Sequence, residues 1–308
     1  IKTFDIRQGT PSSFFRETEC LKSLKGCKNV LDYKSIFRCH ENNCFFLVLE
    51  YCDCDLGQII RHHFSGNSTP LFDQPYEQIL PHLMHQILVG MHEIHSKGFI
   101  HRDVKPTNIL YSFNDPFGIK IGDFGLSRNL TKCNQSTRPL SPLVSTPYYR
   151  APELLLGSHH YNQSIDTWSI GCLFFEMVTG RTLFKPNSNS NSDFEQLLTV
   201  FKICGTPDTD IWPDMPNSEL VLTLPKFPPN LEQVLDSSID SQFSLLKDLL
   251  LNLLQINPSH RISILDALSH PFFTTPISNS EIYDKSEPFS SQLSSGLSSE
   301  NSISPTHN

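Results

Sequence analysis

The chain has 308 residues, a formal net charge of −8 at pH 7 and a hydrophobic fraction of 38%. This length suffices for one large domain, or for two lobes around a sizeable core. The acidic balance argues against nucleic-acid binding as the main role, although it allows a basic partner or substrate. No apolar run reaches the about 18 residues that a membrane span needs, so no membrane association is expected.

The nine cysteines are scattered between Cys20 and Cys204, and no signal-like N-terminus accompanies them. This pattern predicts reduced thiols in an intracellular compartment, either the nucleus, the cytoplasm or both. Cys52 and Cys54 are separated by a single residue, a spacing that does not suit a zinc knuckle.

The first fifty residues predict a small region of mixed elements. Ile1–Phe4 is typical of the end of a β-strand whose start lies upstream. Pro11–Leu24 carries apolar residues at helical spacing and predicts a helix, and Cys44–Tyr51 predicts a strand too apolar to face water.

The next hundred residues predict a polar loop over His62–Pro75 and a long amphipathic helix over Tyr76–Ser96. Four histidines recur on that helix, partly at spacings of three that suggest a metal site: His82, His85, His92 and His95. Because no carboxylate pattern accompanies them, they are predicted to be helix-surface or core histidines.

Residues 101–108, His-Arg-Asp-Val-Lys-Pro-Thr-Asn, combine groups suited to phosphoryl transfer. Asp103 can take a proton from a hydroxyl, Lys105 can neutralise a phosphoryl group, and Asn108 offers an oxygen to magnesium. Asp123, in an Asp-Phe-Gly triplet, supplies a further metal carboxylate. Phosphoryl transfer is mostly positioning and charge stabilisation, so it needs such a set.

The order of His101-Arg102-Asp103, Asp123-Phe124-Gly125 and Ala151-Pro152-Glu153 resembles that of eukaryotic protein kinases. Residues 146–157, Thr-Pro-Tyr-Tyr-Arg-Ala-Pro-Glu-Leu-Leu-Leu-Gly, resemble the cyclin-dependent and MAP kinase branch. Residues 9–17 are similar to the G-x-P-S-T-A-x-R-E helix of cyclin-dependent kinases.

This resemblance implies an α+β, bilobal protein kinase fold. It implies a partial, β-rich N-lobe over residues 1–52, a larger helical C-lobe over 53–275, and a disordered serine-rich tail over 276–308. The glycine-rich loop that covers ATP would lie upstream of Ile1, so the N-lobe is expected to be N-terminally truncated, with that loop absent.

The resemblance also implies ATP and Mg²⁺ as cofactors, and a role for each matching residue. Asp103 and Lys105 would be catalytic, with Thr146 in contact with both, a combination typical of serine/threonine kinases. Lys2 would anchor phosphates, paired with Glu17, while Asn108 and Asp123 would hold the metal ion.

The same resemblance places a hinge after the strand that ends near Tyr51. Glu50 and Cys52 would present backbone groups to adenine, Leu49 would guard the back pocket, and Asp55 would lie near the ribose. Elsewhere, Asp166 would brace the catalytic loop and Arg261 would pair with Glu153.

Regulation and partners follow from three arginines and one helix. Arg16, Arg102 and Arg128 match positions that gather one phosphate, and Ser141 stands at the phosphorylated position; alternatively, Ser141 is unmodified and the arginines pair with carboxylates. The helix bearing Phe14 and Phe15 would dock a cyclin-like partner; alternatively, both rings pack into the small lobe.

The resemblance is greatest to the cell-cycle-related and CDK-activating kinase group, which phosphorylates activation loops of other cyclin-dependent kinases. The supporting features are Gly9-Thr10-Pro11, Gly205-Thr206-Pro207, Ile211-Trp212-Pro213 and the stretch from His270 to Pro276. Pro147 departs from the Leu or Arg common there, which affects proline-directed specificity. The alternative function is a catalytically weak, kinase-like scaffold.

Overall fold

The computed structural model describes residues 1–7, 9, 11–66, 71–72, 74–115, 118–130, 147–186 and 192–274. The predicted serine-rich tail, Ser141 and Thr146 lie outside these residues. The predicted domain boundaries at 52/53 and 275/276 therefore stay predictions.

The small lobe is a three-stranded antiparallel sheet covered by one helix. Its strands are Lys2–Asp5 (β1), Tyr33–Cys39 (β2) and Cys44–Leu49 (β3), in the order β1-β3-β2, and the helix is Ser12–Ser23 (α1). Phe14 of α1 packs edge-on against Phe4 at 5.2 Å and stacks on Phe45 at 4.5 Å. This aromatic cluster fixes α1 on the sheet.

The segment between the lobes contains a short strand, Cys54–Asp55 (β4), and a helix, Leu56–Phe64 (α2). Asp55 caps α2, since its carboxylate accepts from the backbone N–H of Gln58 at 2.8 Å and the Gln58 side chain accepts from the Asp55 N–H at 2.9 Å. The predicted loop over His62–Pro75 is wrong at its start, because the helix continues to Phe64. Ile59 and Ile60 are buried there, and this burial outweighs the polar sequence that follows.

The large lobe is built around two buried helices. Tyr76–Ser96 (α3) has the predicted bounds, and its apolar stripe is buried at Leu80, Leu83, Ile87, Leu88, Met91 and Ile94. A short helix, Pro152–Leu155 (α4), precedes the second buried helix, Ser164–Thr179 (α5). Helix α5 is buried along most of its length, and its Trp168 stacks on Phe184 at 5.2 Å.

The candidate site residues of the large lobe lie on and between short strands and turns that follow α3 in the chain. The strands are Phe99–Ile100 (β5), Ile109–Tyr111 (β6), Ile119–Ile121 (β7) and Arg128–Asn129 (β8), with pairings β4-β6-β7 and β5-β8. One short 3₁₀ turn, Pro106–Asn108, lies between β5 and β6, and another, Phe124–Leu126, lies between β7 and β8; a third, Pro147–Tyr149, precedes α4. Both ends of the β6–β7 hairpin therefore lead directly into residues with candidate functions.

The remaining helices complete the large lobe: Asp193–Cys204 (α6), Ser218–Thr223 (α7), Leu231–Ser238 (α8), Ser244–Leu253 (α9), Ile264–Leu268 (α10) and Pro271–Thr274 (α11). Two further 3₁₀ turns are Ser241–Phe243 and Pro258–His260. No helix among the described residues is long and apolar enough to cross a membrane.

A buried ion pair ties α4 to the turn before α10. Arg261 donates to Glu153 at 2.6 and 2.8 Å, which places the two side chains in the predicted contact. Both side chains are almost completely buried, and Arg261 also donates to three backbone carbonyls, those of Ser164, Gln255 and Ile256. The pair is bidentate and well hydrogen-bonded, the geometry in which a buried pair is tolerated.

Candidate active site

Asp166 holds the start of the candidate catalytic loop, residues 101–108, in place. Its buried carboxylate accepts from the backbone N–H groups of His101 and Arg102, both at 2.8 Å, and contacts His95 Nε2 at 2.9 Å. Burial would raise the pKa of Asp166, but the hydrogen bonds and charges of His95 and His101 together outweigh burial and lower it. The carboxylate is therefore ionised, and it lies where the sequence places it.

Arg102 has a backbone φ of +71°, a left-handed conformation that is unfavourable for a residue with a side chain. The bond from its N–H to Asp166 stabilises this conformation. This left-handed turn comes directly before Asp103, whose own N–H donates to His101 Nδ1 at 3.2 Å.

Asp103, Lys105 and Asn108 form one hydrogen-bonded group. Lys105 Nζ lies 2.8 Å from Asp103 Oδ2, and the Asn108 amide donates to the same oxygen at 2.8 Å and to the Asp103 carbonyl at 2.7 Å. These contacts fix the orientation of the Asp103 carboxylate. They also occupy the amide nitrogen of Asn108, so its amide oxygen is the atom suited to a metal ion.

The Asp-Phe-Gly triplet is folded by a second left-handed residue, Asp123, with φ +59°. Phe124 is fully buried and packs edge-on against the His101 ring at 5.1 Å. Phe124 thereby anchors the triplet against the catalytic loop, while the Asp123 side chain stays 48% exposed.

Lys2 brings the two lobes together. Its ammonium lies 2.7 Å from Glu17 on α1 and 2.8 Å from Asp123 of the large lobe. Burial opposes the charge on Lys2, but the two carboxylates outweigh it and raise its pKa. Burial would likewise raise the pKa of Asp123, but the bond and charge of Lys2 lower it. The predicted Lys2–Glu17 contact is present; the contact with Asp123 was not predicted.

The predicted hinge residues have local partners. The Glu50 N–H donates to the Asp32 carbonyl at 2.9 Å, and the Glu50 side chain accepts from the Asp32 N–H at 2.6 Å. Burial raises the pKa of Cys52 to about 11, so its thiol is protonated. Asp55 has the helix-capping role described above, which sequence reasoning missed. The adenine and ribose contacts of these residues, and the role of Leu49, stay predictions.

Arg16, Arg102 and Arg128 lie near one another, beside the Asp-Phe-Gly turn. Arg16 donates to the Gly125 carbonyl at 2.7 Å and to Ser12 at 2.8 Å, which fixes it next to the Asp-Phe-Gly turn. Burial lowers the pKa of both Arg16 and Arg102, and the nearby charge of Arg128 lowers both further. The mutual repulsion indicates that the three guanidinium groups lie near one another. Their role in gathering a phosphate stays a prediction.

Two further features of the site were not predicted. His95 is a largely buried histidine on α3, as predicted, but its contact with Asp166 was not predicted, since its spacing on the helix carries no signal of it. A cleft of about 690 Å³ lies beside Lys105 and Thr107, with Tyr149 and Glu176 on its wall and a 2.6 Å hydrogen bond between them. As for metal sites, no cluster of three or more His, Cys, Asp or Glu suited to an ion occurs in the described part of the chain.

Comparison with known proteins agrees with this geometry. The protein kinase domain family matches residues 1–273. A solved structure, described as the yeast RNA Pol II CTD kinase CTDK-1 complex, superposes with a TM-score of 0.73 at 30% identity, covering 93% of this chain and 86% of that one. The chain therefore belongs to the protein kinase family.

Within that family, its relatives are serine/threonine kinases of the cyclin-dependent type. Cyclin-dependent kinase B2-1 of Arabidopsis thaliana is 35% identical over 86% of this chain and 81% of its own length. Probable cyclin-dependent kinase 8 of Dictyostelium discoideum is 32% identical, over 93% and 76%. Serine/threonine-protein kinase SSN3 of Yarrowia lipolytica is 34% identical over 80% of this chain, which spans 62% of that relative's length.

Proposed function

We propose that this protein transfers the terminal phosphoryl group of ATP to serine or threonine hydroxyls of protein substrates. The observation that carries the proposal is the Lys2 ammonium held between Glu17 and Asp123, at 2.7 and 2.8 Å. This contact aligns the small lobe, α1 and the metal-binding carboxylate in the arrangement that kinase chemistry requires.

The residues present fit a magnesium ion. Asp123 is ionised. The amide nitrogen of Asn108 is hydrogen-bonded to Asp103, which leaves its amide oxygen available to a metal ion. Carboxylate and amide oxygens are suitable ligands for Mg²⁺. When bound, Mg²⁺ and ATP supply the transferable phosphoryl group and neutralise its charge; Asn108 and Asp123 would hold the ion, and Lys2 the phosphates.

Asp103 orients the acceptor hydroxyl and takes its proton, since Lys105 and Asn108 fix its carboxylate in one position. Lys105 places a positive charge beside this carboxylate, where charge develops on the phosphoryl group. Thr146 would contact both residues and favour serine and threonine over tyrosine.

The proposal includes a cyclin-like partner on α1. Phe14 is buried in the aromatic cluster, but Phe15 is 59% exposed on the neighbouring face. The alternative that both rings pack into the small lobe is therefore wrong for Phe15, and the exposed Phe15 ring supports the proposed docking face. The same helix carries Glu17 and Arg16, so a partner bound at the exposed aromatic ring would shift the position of both residues in the active site.

The proposal also includes phosphorylation of Ser141. Its support is the convergence of Arg16, Arg102 and Arg128, because a phosphate among them would form charge-assisted bonds and relieve their repulsion. The test is phosphopeptide mapping together with the activity of Ser141→Ala. Unchanged activity, without any phosphopeptide containing Ser141, would contradict this part.

For the substrate, we propose the activation loops of other cyclin-dependent kinases, supported by the sequence features shared with the CDK-activating group. Pro147, which is buried at the start of its 3₁₀ turn, makes a requirement for proline after the target residue doubtful. The proposed location is the nucleus or cytoplasm, supported by the unbridged state of the eight cysteines within the described ranges.

The experiment is phosphate transfer from labelled ATP by the purified protein, with and without a cyclin. The substrates are a kinase-dead cyclin-dependent kinase and a peptide of the RNA polymerase II C-terminal repeat, and Asp103→Asn is the control. Transfer to the kinase that is lost in Asp103→Asn supports the proposal in full; preference for the repeat peptide would redirect the substrate assignment. No transfer to either, alongside cyclin binding, would favour the scaffold alternative.

A further inference from the structure

Cys39 and Cys44 face each other across the β2–β3 hairpin of the small lobe. They are directly opposed partners in the strand register, at the end of the hairpin that is remote from the hinge. Residues opposed in this way have Cα atoms about 4.5 or 5.5 Å apart, depending on the kind of pair. Both separations lie within the range of about 4.4–6.8 Å that a disulfide spans.

The surrounding side chains keep the two cysteines aligned. Phe37 and Phe46 are opposed two residues further along the same face, with ring centroids 5.1 Å apart. On the other side of β3, Asp5 is the partner of Cys44, and the Ile6 N–H donates to the Asn43 carbonyl at 2.9 Å. The hairpin end is therefore held by both neighbouring strands, and the cysteine pairing does not depend on the turn alone.

From this juxtaposition we propose that Cys39 and Cys44 are a redox site, which a hydroperoxide converts reversibly into a cross-strand disulfide. Cys39 is partly exposed and is the attacking thiol, whereas Cys44 is only 4% exposed and is the resolving thiol. Burial and the adjacent Cys39, which lies within hydrogen-bonding reach, raise the pKa of Cys44 and keep it protonated until it reacts.

The proposed chemistry has two steps. The Cys39 thiolate attacks the peroxide, so that a sulfur–oxygen bond forms, the oxygen–oxygen bond breaks and hydroxide or an alkoxide leaves. Cys44 then attacks the sulfenic sulfur; the S–S bond forms and water leaves. Two electrons pass from the thiols to the peroxide, and the two thiol protons end in water or in water and an alcohol. A dithiol reverses the reaction by exchange.

Other thiols in the described ranges provide internal controls. Cys172 interacts with Cys204, but burial raises the pKa of Cys172 strongly and that of Cys204 to about 12. Because the thiolate is the reactive form, these two thiols are expected to stay reduced. Cys27, like Cys39, is partly exposed. It lies outside the strands, so no cysteine is opposed to it across a sheet.

The experiment is treatment of the purified, folded protein with hydrogen peroxide, followed by mass spectrometry of the intact chain and of non-reduced peptides. The expected result is a loss of about 2 Da that dithiothreitol reverses, mapped to a peptide joining Cys39 and Cys44. Slower hydrogen exchange in β2 and β3 should accompany it. The Cys27→Ser variant should form the same disulfide.

The Cys44→Ser variant separates this mechanism from simple thiol oxidation. It should accumulate a sulfenic acid on Cys39 that reacts with dimedone, while the unsubstituted protein should not. Three outcomes would overturn the proposal: a Cys39 disulfide between two molecules, irreversible sulfinic acid on Cys39 with Cys44 still reduced, or equal dimedone labelling with and without Cys44.

Discussion

The Asp166 carboxylate holds three donors that shape the catalytic loop: two backbone N–H groups and the ring of His95. These donors are largely shielded from water: His101 is fully buried, Arg102 is 6% exposed and the His95 side chain is 9% exposed. Leaving a buried donor unsatisfied costs about 1–3 kcal/mol. We therefore propose a positioning role for Asp166 in catalysis, since the N–H of Arg102, at the left-handed turn, donates one of these bonds.

We expect Asp166→Asn to lower both stability and kcat, because an amide cannot accept all three bonds and carries no charge. The matched control is Asp248→Asn, since Asp248 also bonds a histidine, His270, at 2.9 Å, but with a side chain 62% exposed. Thermal unfolding and initial rates measure the two effects. Equal, small losses in both variants would contradict the proposed bracing role.

At the scale of elements, the two adjacent phenylalanines of α1 differ in burial: Phe14 is buried and Phe15 is exposed. Successive residues on a helix point about 100° apart, so one ring of such a pair can be buried while the next stays exposed. Phe14 joins Phe4 and Phe45 in the core, whereas Phe15 projects from the same helix into solvent.

This division predicts opposite phenotypes for two similar substitutions. Phe14→Ala should destabilise the small lobe by about 3–5 kcal/mol, the usual cost of removing a buried aromatic ring. Phe15→Ala should cost well under about 1 kcal/mol in stability but weaken binding of a cyclin-like partner. Chemical denaturation and titration with a cyclin measure the two quantities. Wild-type cyclin affinity in Phe15→Ala would contradict the partner assignment.

The sequence predicts elements best where periodicity is long and unbroken. The apolar stripe of α3 extends over about four turns, from Leu80 to Ile94, and the predicted bounds of the helix agree with the structure. In α2, by contrast, the polar pair His62 and His63 obscures the last turn, because that turn is fixed by a contact distant in sequence, the stacking of His63 on Tyr76 at 4.3 Å. The same limit explains why the capping role of Asp55 was missed.

Contacts between distant residues could be predicted only where a family motif supplies both partners. Lys2–Glu17 and Glu153–Arg261 are of this kind, and both are present. The Lys2–Asp123 contact and the His95–Asp166 bond follow from how the lobes and helices pack, and no local pattern in the sequence marks them. The opposed cysteines of β2 and β3 likewise become apparent only once the strand register is known.

At the scale of the whole molecule, the Glu153–Arg261 pair joins segments 108 residues apart in the large lobe. Removing one partner of a buried pair leaves an uncompensated charge and typically costs about 3–5 kcal/mol. We therefore expect Arg261→Met to lower the free energy of unfolding by this amount. Denaturant titration measures the change.

The control for this prediction is Lys247→Met, which removes an ion pair of similar length with Asp236. That pair joins Nζ and Oδ1 at 2.9 Å, but the Asp236 side chain is 62% exposed, so its loss should cost at most about 1 kcal/mol. Arg261→Met being no more destabilising than Lys247→Met would show that the buried pair does not hold the large lobe together.

The two lobes meet at the catalytic centre through Lys2, and the proposed chemistry depends on the Asp103 carboxylate below it. The most direct measurement is the rate of phosphate transfer from ATP to serine or threonine in a protein substrate, for the unsubstituted protein and for Asp103→Asn. We predict a measurable rate that falls by about 10²- to 10⁴-fold in the variant, with the same thermal stability. Equal rates in the two proteins, with both folded, would contradict the assignment of Asp103 as the catalytic base.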